Sequence, residues 1–421
     1  MEDRSSWDWN VGTKPFANLN DWRGKFGWVE EPVASPDGER VAAIVNLDEG
    51  EFNVCVNGEP WDTVFEKIWH LRFTPDGRLT ALVSEMGEWT MAIDGEPWEG
   101  RFGYLWEPIF SEDGKNIAIS VQQDMAYCMA LNGRPWDQTF ANMTNTALSP
   151  NGRHTAAVVQ TKNYGEAEIH KFQEGCYSVA VDGNAWDQTF VNVWNMAFNA
   201  DGGKVAAEVR LNLYEYTIAV NGEPWEQTFP CVWEPIFNPS SGGAVAPVRV
   251  QGKWTLAEDG QFLWNGRYVQ LWQHVYSPGG QHLAAVVAPK YGRWTVAVDD
   301  RPWSTTFQDM VTDLQFSPDG ERIAALCKNG PVWKVAVDGS VWSGSFDMAW
   351  KPVFSPDGAH VAAKVEQNGN YTVCVDDKIW SKECEAVWDP VFSPDGDKLM
   401  IRAVEEDTFN RYVIPVTDIT G

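Results

Sequence analysis

The chain has 421 residues, 59 of them acidic and 32 basic, which gives a formal net charge of −27. A surface of that charge repels nucleic-acid phosphates and anionic lipids, so we expect neither nucleic-acid binding nor direct insertion into a membrane. No segment approaches the roughly 18 apolar residues of a membrane span, and the first residues lack the basic and apolar regions of a secretory signal. These features predict a cytoplasmic location.

In chain order, ten related segments follow one another, each with four short strand patterns. Each copy opens with an apolar strand, turns at Pro-Asp-Gly or a variant of it, and continues with a small apolar second strand. An alternating third strand usually ends in Asn-Gly or Asp-Gly, the signal of a two-residue hairpin, and a fourth strand begins near a tryptophan. The turn positions, about 38 residues apart with one longer gap, are Asp37, Asp76, Asp113, Asn151, Asp201, Ser240, Gly279, Asp319, Asp357 and Asp395.

A repeat of this length and pattern predicts an all-β fold, a single β-propeller of about ten four-stranded blades, with two smaller propellers as the alternative. The last copy stops after its third strand, and residues 21–26 match the fourth-strand pattern. We therefore expect an N-terminal strand at 21–26 to complete the last blade and remove an open sheet edge. The predicted organisation is an N-terminal extension at 1–20, the propeller at 21–416 and a C-terminal tail at 417–421.

The longer gap places an insertion at 160–175, between the second and third strands of one copy. A loop on a rigid scaffold often carries recognition, and an insertion of this size is also tolerated at little cost in stability. Both interpretations remain open.

Twenty-four tryptophans are present, and most recur at fixed places in the repeat. One set precedes the first strand of its copy, where we expect it to lie near the mouth of a central channel. Acidic residues follow several members, notably Glu107, Glu234 and Asp389. This aromatic and acidic surface is our candidate for binding a basic or amphipathic partner segment, although the rings could instead only space neighbouring blades. The tryptophans of the set are Trp69, Trp106, Trp194, Trp233, Trp272, Trp350 and Trp388.

Catalytic and metal-binding motifs are missing from the sequence. It has no Gly-x-Ser-x-Gly elbow, phosphate-binding loop or Cys-x-x-Cys pair, and its seven cysteines and six histidines are scattered. We therefore predict a protein that is not an enzyme and has no cofactor or metal. Two alternatives are a hydrolase that uses carboxylates such as Glu234 or Asp389, and a small-ligand-binding protein that stacks a ring on the tryptophans.

The Phe-Ser-Pro-Asp-Gly copies at 316–320 and 354–358, each followed by an apolar residue and two alanines, resemble the WD40-like repeats of TolB-type propellers. The tryptophan content and acidic balance resemble the tryptophan-rich subunit of the Tmc transmembrane redox complex of sulfate-reducing bacteria. That resemblance implies a cofactor-free scaffold subunit on the inner face of the membrane. Its partners would be an iron–sulfur protein, a cytochrome b and a multihaem cytochrome of an electron-transfer complex.

Overall fold

The computed structural model describes residues 4–164 and 166–421, and ten antiparallel sheets follow one another along them. They form a ten-bladed β-propeller, so the predictions of an all-β fold and of about ten four-stranded blades are confirmed. We number the sheets as blades 1 to 10 in chain order. Blades 2 to 6 belong to one compact unit, Phe65–Arg267, and blades 1 and 7 to 10 belong to a second, which comprises residues 4–64 and Tyr268–Gly421.

In the first unit, each blade has four strands in sequential order. Blade 2 comprises Lys67–Phe73, Leu79–Glu85, Glu88–Ile93 and Glu96–Pro97. Blade 3 comprises Tyr104–Phe110, Ile117–Gln123, Ala126–Leu131 and Arg134–Pro135. Blade 4 comprises Met143–Leu148, Thr155–Gln160, Tyr177–Val181 and Asn184–Ala185. Blade 5 comprises Asn192–Phe198, Val205–Arg210, Tyr216–Val220 and Glu223–Pro224, and blade 6 comprises Ile236–Phe237, Ala244–Val250, Lys253–Glu258 and Gln261–Phe262.

In the second unit, three blades have a first strand split into two short pieces. Blade 1 comprises Trp28–Val29, Val33–Ala34, Val41–Asp48, Glu51–Val56 and Glu59–Pro60. Blade 7 comprises Gln270–Tyr276, Leu283–Lys290, Arg293–Val298 and Arg301–Pro302, and blade 8 comprises Met310–Phe316, Ile323–Asn329, Val332–Val337 and Ser340–Val341. Blade 9 comprises Met348–Ala349, Val353–Phe354, Val361–Gln367, Asn370–Val375 and Lys378–Ile379. Blade 10 comprises Ala386–Val387, Val391–Phe392, Lys398–Glu405, Thr408–Pro415 and the N-terminal strand Gly12–Asn18.

The N-terminal segment does complete blade 10, but through different residues from those expected. Gly12–Asn18 pairs antiparallel with Thr408–Pro415, whereas Leu19–Lys25 forms an α-helix. The prediction of a strand at 21–26 is therefore wrong. Asn18 caps the helix by accepting the N–H of Asn20, and this local cap overrides the match to the strand pattern. The closing strand lies within the stretch assigned to an N-terminal extension, and the short helix Thr417–Thr420 lies in the stretch assigned to the tail.

The second strands form the centre of each blade, as their small apolar sequences predict. Val361, Ala362 and Ala363 of blade 9 are at most 1% exposed, and the corresponding alanines of the other blades are equally buried. Because both faces of these strands are covered, small side chains there let neighbouring sheets pack closely.

The first strands are interrupted at the residue that follows the tryptophan position. In blades 2, 3, 4, 7 and 8 this residue lies in a β-bulge and has a left-handed backbone, as His70 and Glu107 show with φ of 52°. In blades 1, 9 and 10 a proline, which has no N–H to donate to the ladder, comes next and the strand is split in two, whereas blade 3 has Pro108 at this place and keeps one bulged strand. In both cases one polar residue per blade is turned out of the regular pairing.

In blades 1 to 9 the fourth strand has only two residues, with one further isolated bridge in most of these blades, although the pattern at 21–26 suggested about six residues. After the short fourth strand, polar side chains of the third strand donate hydrogen bonds to backbone carbonyl groups that no longer pair with a strand. Thr217 donates to the carbonyl of Gln227 at 2.9 Å, and Thr295 donates to that of Thr305 at 2.7 Å. These bonds satisfy backbone groups that sheet pairing leaves open.

The insertion lies between the second and third strands of blade 4, where it was expected, and its described part contains the 3-10 helical stretch Glu166–Glu174. Its functional role stays a prediction. Among the helices that the structure describes, none is long and apolar enough to cross a bilayer.

Candidate partner-binding site

The seven tryptophans chosen from the sequence lie in the first-strand segments of seven blades. Each ring contacts the aromatic residue near the start of the third strand of its own blade, with centroids 4.6 to 6.1 Å apart. The pairs are Trp69 with Trp89, Trp106 with Tyr127, Trp194 with Tyr216, Trp233 with Trp254, Trp272 with Trp294, Trp350 with Tyr371 and Trp388 with Phe409. A packing role within the blade is therefore part of their function.

These rings also keep contact with solvent. Trp69 is 45% exposed, and the other six are half-buried. A half-buried indole beside an exposed acid has an apolar face and edge ready for a partner, which is typical of interface anchors. Packing and recognition are thus compatible at this position.

The three acidic residues chosen from the sequence, Glu107, Glu234 and Asp389, are all exposed. They directly follow their tryptophans, so the interruption of each first strand turns the carboxylate out of the sheet. The structure thereby brings each acid next to its aromatic pair. Their assignment to partner binding stays a prediction.

A cleft of about 390 Å³ adjoins this position in blades 2 to 4. Three of its lining residues, His70, Glu107 and Asn145, are the left-handed bulge residues of successive blades. Arg72 and Thr146 complete its polar lining, and Thr146 donates a hydrogen bond to Glu107 at 3.4 Å. The bulges therefore place three polar residues at one concave surface, where Arg72 adds a positive charge to the negative charge of Glu107.

The sequence analysis missed a second polar position, the fourth residue of the second strand in the small apolar run. In six blades it is apolar: Ile44, Leu82, Val158, Pro247, Val286 and Leu326. In the other four it is Ser120, Glu208, Lys364 and Arg402. A charge inside a run such as Val-Ala-Ala-Lys-Val was the available signal, since charged residues are rarely buried without a partner.

The Lys364 ammonium lies against both rings of the aromatic pair of blade 9. It is 4.2 Å from the centroid of the Trp350 ring and 5.0 Å from that of Tyr371. Burial lowers the pKa of Lys364, whereas the nearby carboxylates of Asp389, then of Glu31 and Glu366, oppose that shift. Aromatic faces and carboxylates together thus hold a cation at this position.

Arg402 of blade 10 occupies the same position and is only 8% exposed. Its guanidinium donates to the carbonyl of Ser35 at 2.8 Å and to that of Asp389 at 2.7 Å. These bonds connect blades 10 and 1, so the role of Arg402 is structural.

Glu208 of blade 5 is the unusual member, a carboxyl group only 8% exposed. Burial raises the pKa of Glu208 from its usual 4.5 to about 7; the hydrogen bond from Asn195 opposes the shift, and the charge of Glu234 adds to it. The Asn195 side chain donates to Glu208 at 3.4 Å. Glu234, chosen from the sequence, is therefore close enough to affect the ionisation of Glu208, a residue that the sequence did not indicate.

No group of three histidine, cysteine or acidic residues in the described part of the chain is arranged to hold a metal ion. All seven cysteines are free thiols, six buried and Cys231 half-buried. Burial raises the pKa of each thiol for which a shift is resolved, Cys327 and Cys374 among them.

The fold places the chain in the class of β-propeller proteins. No protein-family model matches it, and no curated protein sequence matches it at a significant level. One similar solved structure is described as a crystal structure of the eukaryotic initiation factor. It aligns over 78% of this chain and 90% of that chain, at 13% identity and a TM-score of 0.48.

Proposed function

We propose that this protein is a non-catalytic scaffold that docks onto other protein subunits through its first-strand tryptophans and the acids beside them. The single observation that supports it best is the repeated arrangement of a half-buried indole followed by an exposed carboxylate. Propellers serve many functions, and this surface, unlike the fold, is specific enough to indicate docking.

The partner proposed from the sequence resemblance is a membrane-associated electron-transfer complex of the Tmc type. The protein would be its accessory subunit on the cytoplasmic side, beside iron–sulfur, cytochrome b and multihaem cytochrome subunits. The acidic surface favours partners with basic docking segments, because opposite potentials speed encounter and fix orientation.

Co-purification from native membranes tests this proposal. Tagged protein extracted in mild detergent should carry haem-containing subunits, measured by visible absorption and mass spectrometry. A Trp106→Ala, Glu107→Gln double variant should lose them, since it removes one anchor and its charge. Tyr291→Ala removes a ring that is 91% exposed on blade 7 and is the matched control. Recovery of the tagged chain without any haem protein would contradict the assignment.

A hydrolase is the second candidate, and one observation favours it. Burial and the nearby charge of Glu234 raise the pKa of Glu208 to about 7. Two carboxyl groups in such different environments can serve as the general acid and the carboxylate of a hydrolase. If the protein hydrolyses glycosides, then Glu208→Gln and Glu234→Gln should each abolish turnover of chromogenic substrates. Glu223→Gln removes an exposed acid from blade 5 and should leave turnover unchanged. A scaffold shows no turnover in any of these proteins. The small-ligand hypothesis stays a prediction.

A further inference from the structure

Blades 5 and 9 place Glu208 and Lys364 at the same structural position. In blade 9, Val365 pairs with Ala349 on one side and Thr372 on the other. In blade 5, the equivalent Val209 pairs with Val193 and Thr217. The residue before each valine is therefore equivalent, and so are the aromatic pairs, Trp350 with Tyr371 and Trp194 with Tyr216.

The acids contributed by the next blade are equivalent as well. Asp389 follows the tryptophan of blade 10 and acts on Lys364, whereas Glu234 follows that of blade 6 and acts on Glu208. Blade 9 thus contains an ammonium, two aromatic rings and a carboxylate. Blade 5 has the rings and the carboxylate, but a second carboxyl group replaces the ammonium.

Other charged groups near Glu208 do not supply the missing cation. Arg210 lies on the same strand, where the carbonyl groups of Asn212 and Leu213 hold its guanidinium above the Tyr216 ring, 5.5 Å from the centroid. Among the groups that the structure describes, the causes of the shifted acidity of Glu208 are burial, Asn195 and Glu234, and none is a cation.

From blade 6, Cys231 and Arg249 also approach this site. The half-buried Cys231 thiol lies close enough to Glu208 for the carboxylate to raise the pKa of Cys231 further, after burial, whereas Arg249 lowers it. Arg249 is exposed and acts on the thiol. The Glu208 carboxyl group is therefore close enough to Glu234 to be affected by its charge, and no cation is among the groups that shift the acidity of Glu208.

We propose that Glu208 and Glu234 together bind the ammonium group of a lysine side chain supplied by a protein partner. This inference rests on the proposed function, for which it names the chemistry of the partner. Lys364 shows that the chain holds an ammonium against the equivalent pair of rings and close enough to the equivalent acid, Asp389, to be affected by its charge. The net charge of −27 favours the approach of a basic segment.

Binding should be linked to the release of one proton. The Glu208 carboxyl group gives its proton to the solvent, and the resulting carboxylate forms an ion pair with the incoming ammonium. Only the ionised form is competent, and it makes up about a tenth of the molecules at pH 6 and about nine tenths at pH 8. The apparent Kd should therefore fall by about ten-fold between those pH values.

A peptide titration tests the site directly. The probe is acetyl-Gly-Lys-Gly-amide, and saturation-transfer NMR on its lysine side-chain protons gives Kd at pH 6 and pH 8. We expect the wild-type protein to show the ten-fold change, and Glu208→Gln to bind several-fold more weakly at pH 8 with no pH dependence. The neutral norleucine peptide should not bind at this site.

Glu223→Gln is the matched control, because it removes one negative charge from the same blade at an exposed position. Equal Kd values for Glu208→Gln, Glu223→Gln and the wild type would overturn the inference, since attraction to net charge alone predicts that equality. The same conclusion follows if wild-type binding is independent of pH. Glu234→Gln provides a second variant if Glu208→Gln does not fold.

The outcomes separate this inference from the proposed function. If the haem subunits co-purify equally with the wild type and Glu208→Gln at pH 6 and pH 8, then docking stands and the lysine site is wrong. If the peptide binds as expected but no partner co-purifies, then the site stands and the proposed function fails.

Discussion

Blades 5 and 9 share one backbone register but carry opposite charges at its central polar position. In blade 9, the Lys364 ammonium lies against two aromatic rings and is affected by the charge of Asp389, whereas in blade 5 Glu208 is affected by the charge of Glu234. The blade 9 site contains an ammonium and carboxylates, whereas the blade 5 site contains two carboxyl groups. The comparison teaches that the repeat determines where a side chain lies, and that single substitutions at a buried position then determine what it can bind.

Charge reversal in blade 9 should have the largest effect. Lys364→Glu converts the compensated site into a cluster of carboxylates beside Asp389, Glu31 and Glu366. Because Lys364 is half-buried, we expect the free energy of unfolding at pH 8 to fall by about 3 kcal/mol, near the lower end of the cost of an uncompensated buried charge. Urea unfolding measures it. Lys378→Glu, an exposed position on the same blade, should change stability by much less, and equal losses would break the comparison.

Removal of the Glu208 charge in blade 5 should increase the free energy of unfolding, by an amount that depends on pH. Burial raises the pKa of Glu208 in the folded protein, so its protonated form is favoured there over the ionised form. The stability that Glu208 contributes is therefore fully present below pH 4.5 and is lost as the pH rises through about 7. Glutamine does not ionise, so Glu208→Gln should not lose this stability. Between pH 4.5 and pH 8, we expect its free energy of unfolding to rise by about 2 kcal/mol relative to that of the wild type. Parallel unfolding curves at pH 4.5, 6 and 8 measure the difference. A constant offset between the two proteins would contradict a raised pKa.

The smallest expected effect concerns the thiol next to this site. Burial and then the Glu208 charge raise the pKa of Cys231, which is half-buried while the other six cysteines are buried. Removing that charge in Glu208→Gln should increase the thiolate fraction and the iodoacetamide labelling rate at pH 8.5 by about two-fold. Mass spectrometry locates the label. Glu223→Gln should label at the wild-type rate, and an unchanged rate in Glu208→Gln would place the carboxylate too far from the thiol to influence it.

Much of the fold was predictable because each repeat contains recognisable turn sequences between its strands. Pro-Asp-Gly turns and Asn-Gly hairpins act locally, so strand order and blade number follow from the sequence. The closing strand was misplaced because residues 21–26 match a strand pattern while Asn18 caps a helix there. The fourth strands were overestimated because third-strand side chains such as Thr217 replace ladder bonds that the pattern cannot reveal.

The candidate site was predictable only in part. Position in the repeat identified the tryptophans and the exposed acids Glu107, Glu234 and Asp389, because those residues recur at equivalent places. Glu208 occurs once, within a strand otherwise buried on both faces, and its neighbour Glu234 comes from the next blade. Sequence spacing does not state which residues of adjacent sheets face each other.

The repeat and its four strands follow from the sequence alone, because turns formed by proline, asparagine, aspartate and glycine act over a few residues. The strand Gly12–Asn18 that closes blade 10, the carboxylates near the Lys364 ammonium and the absence of a cation among the groups that shift the acidity of Glu208 follow from the tertiary structure. The reason is physical. The charge state of a buried group depends on its distance from other charges and on its desolvation, and packing between blades determines both.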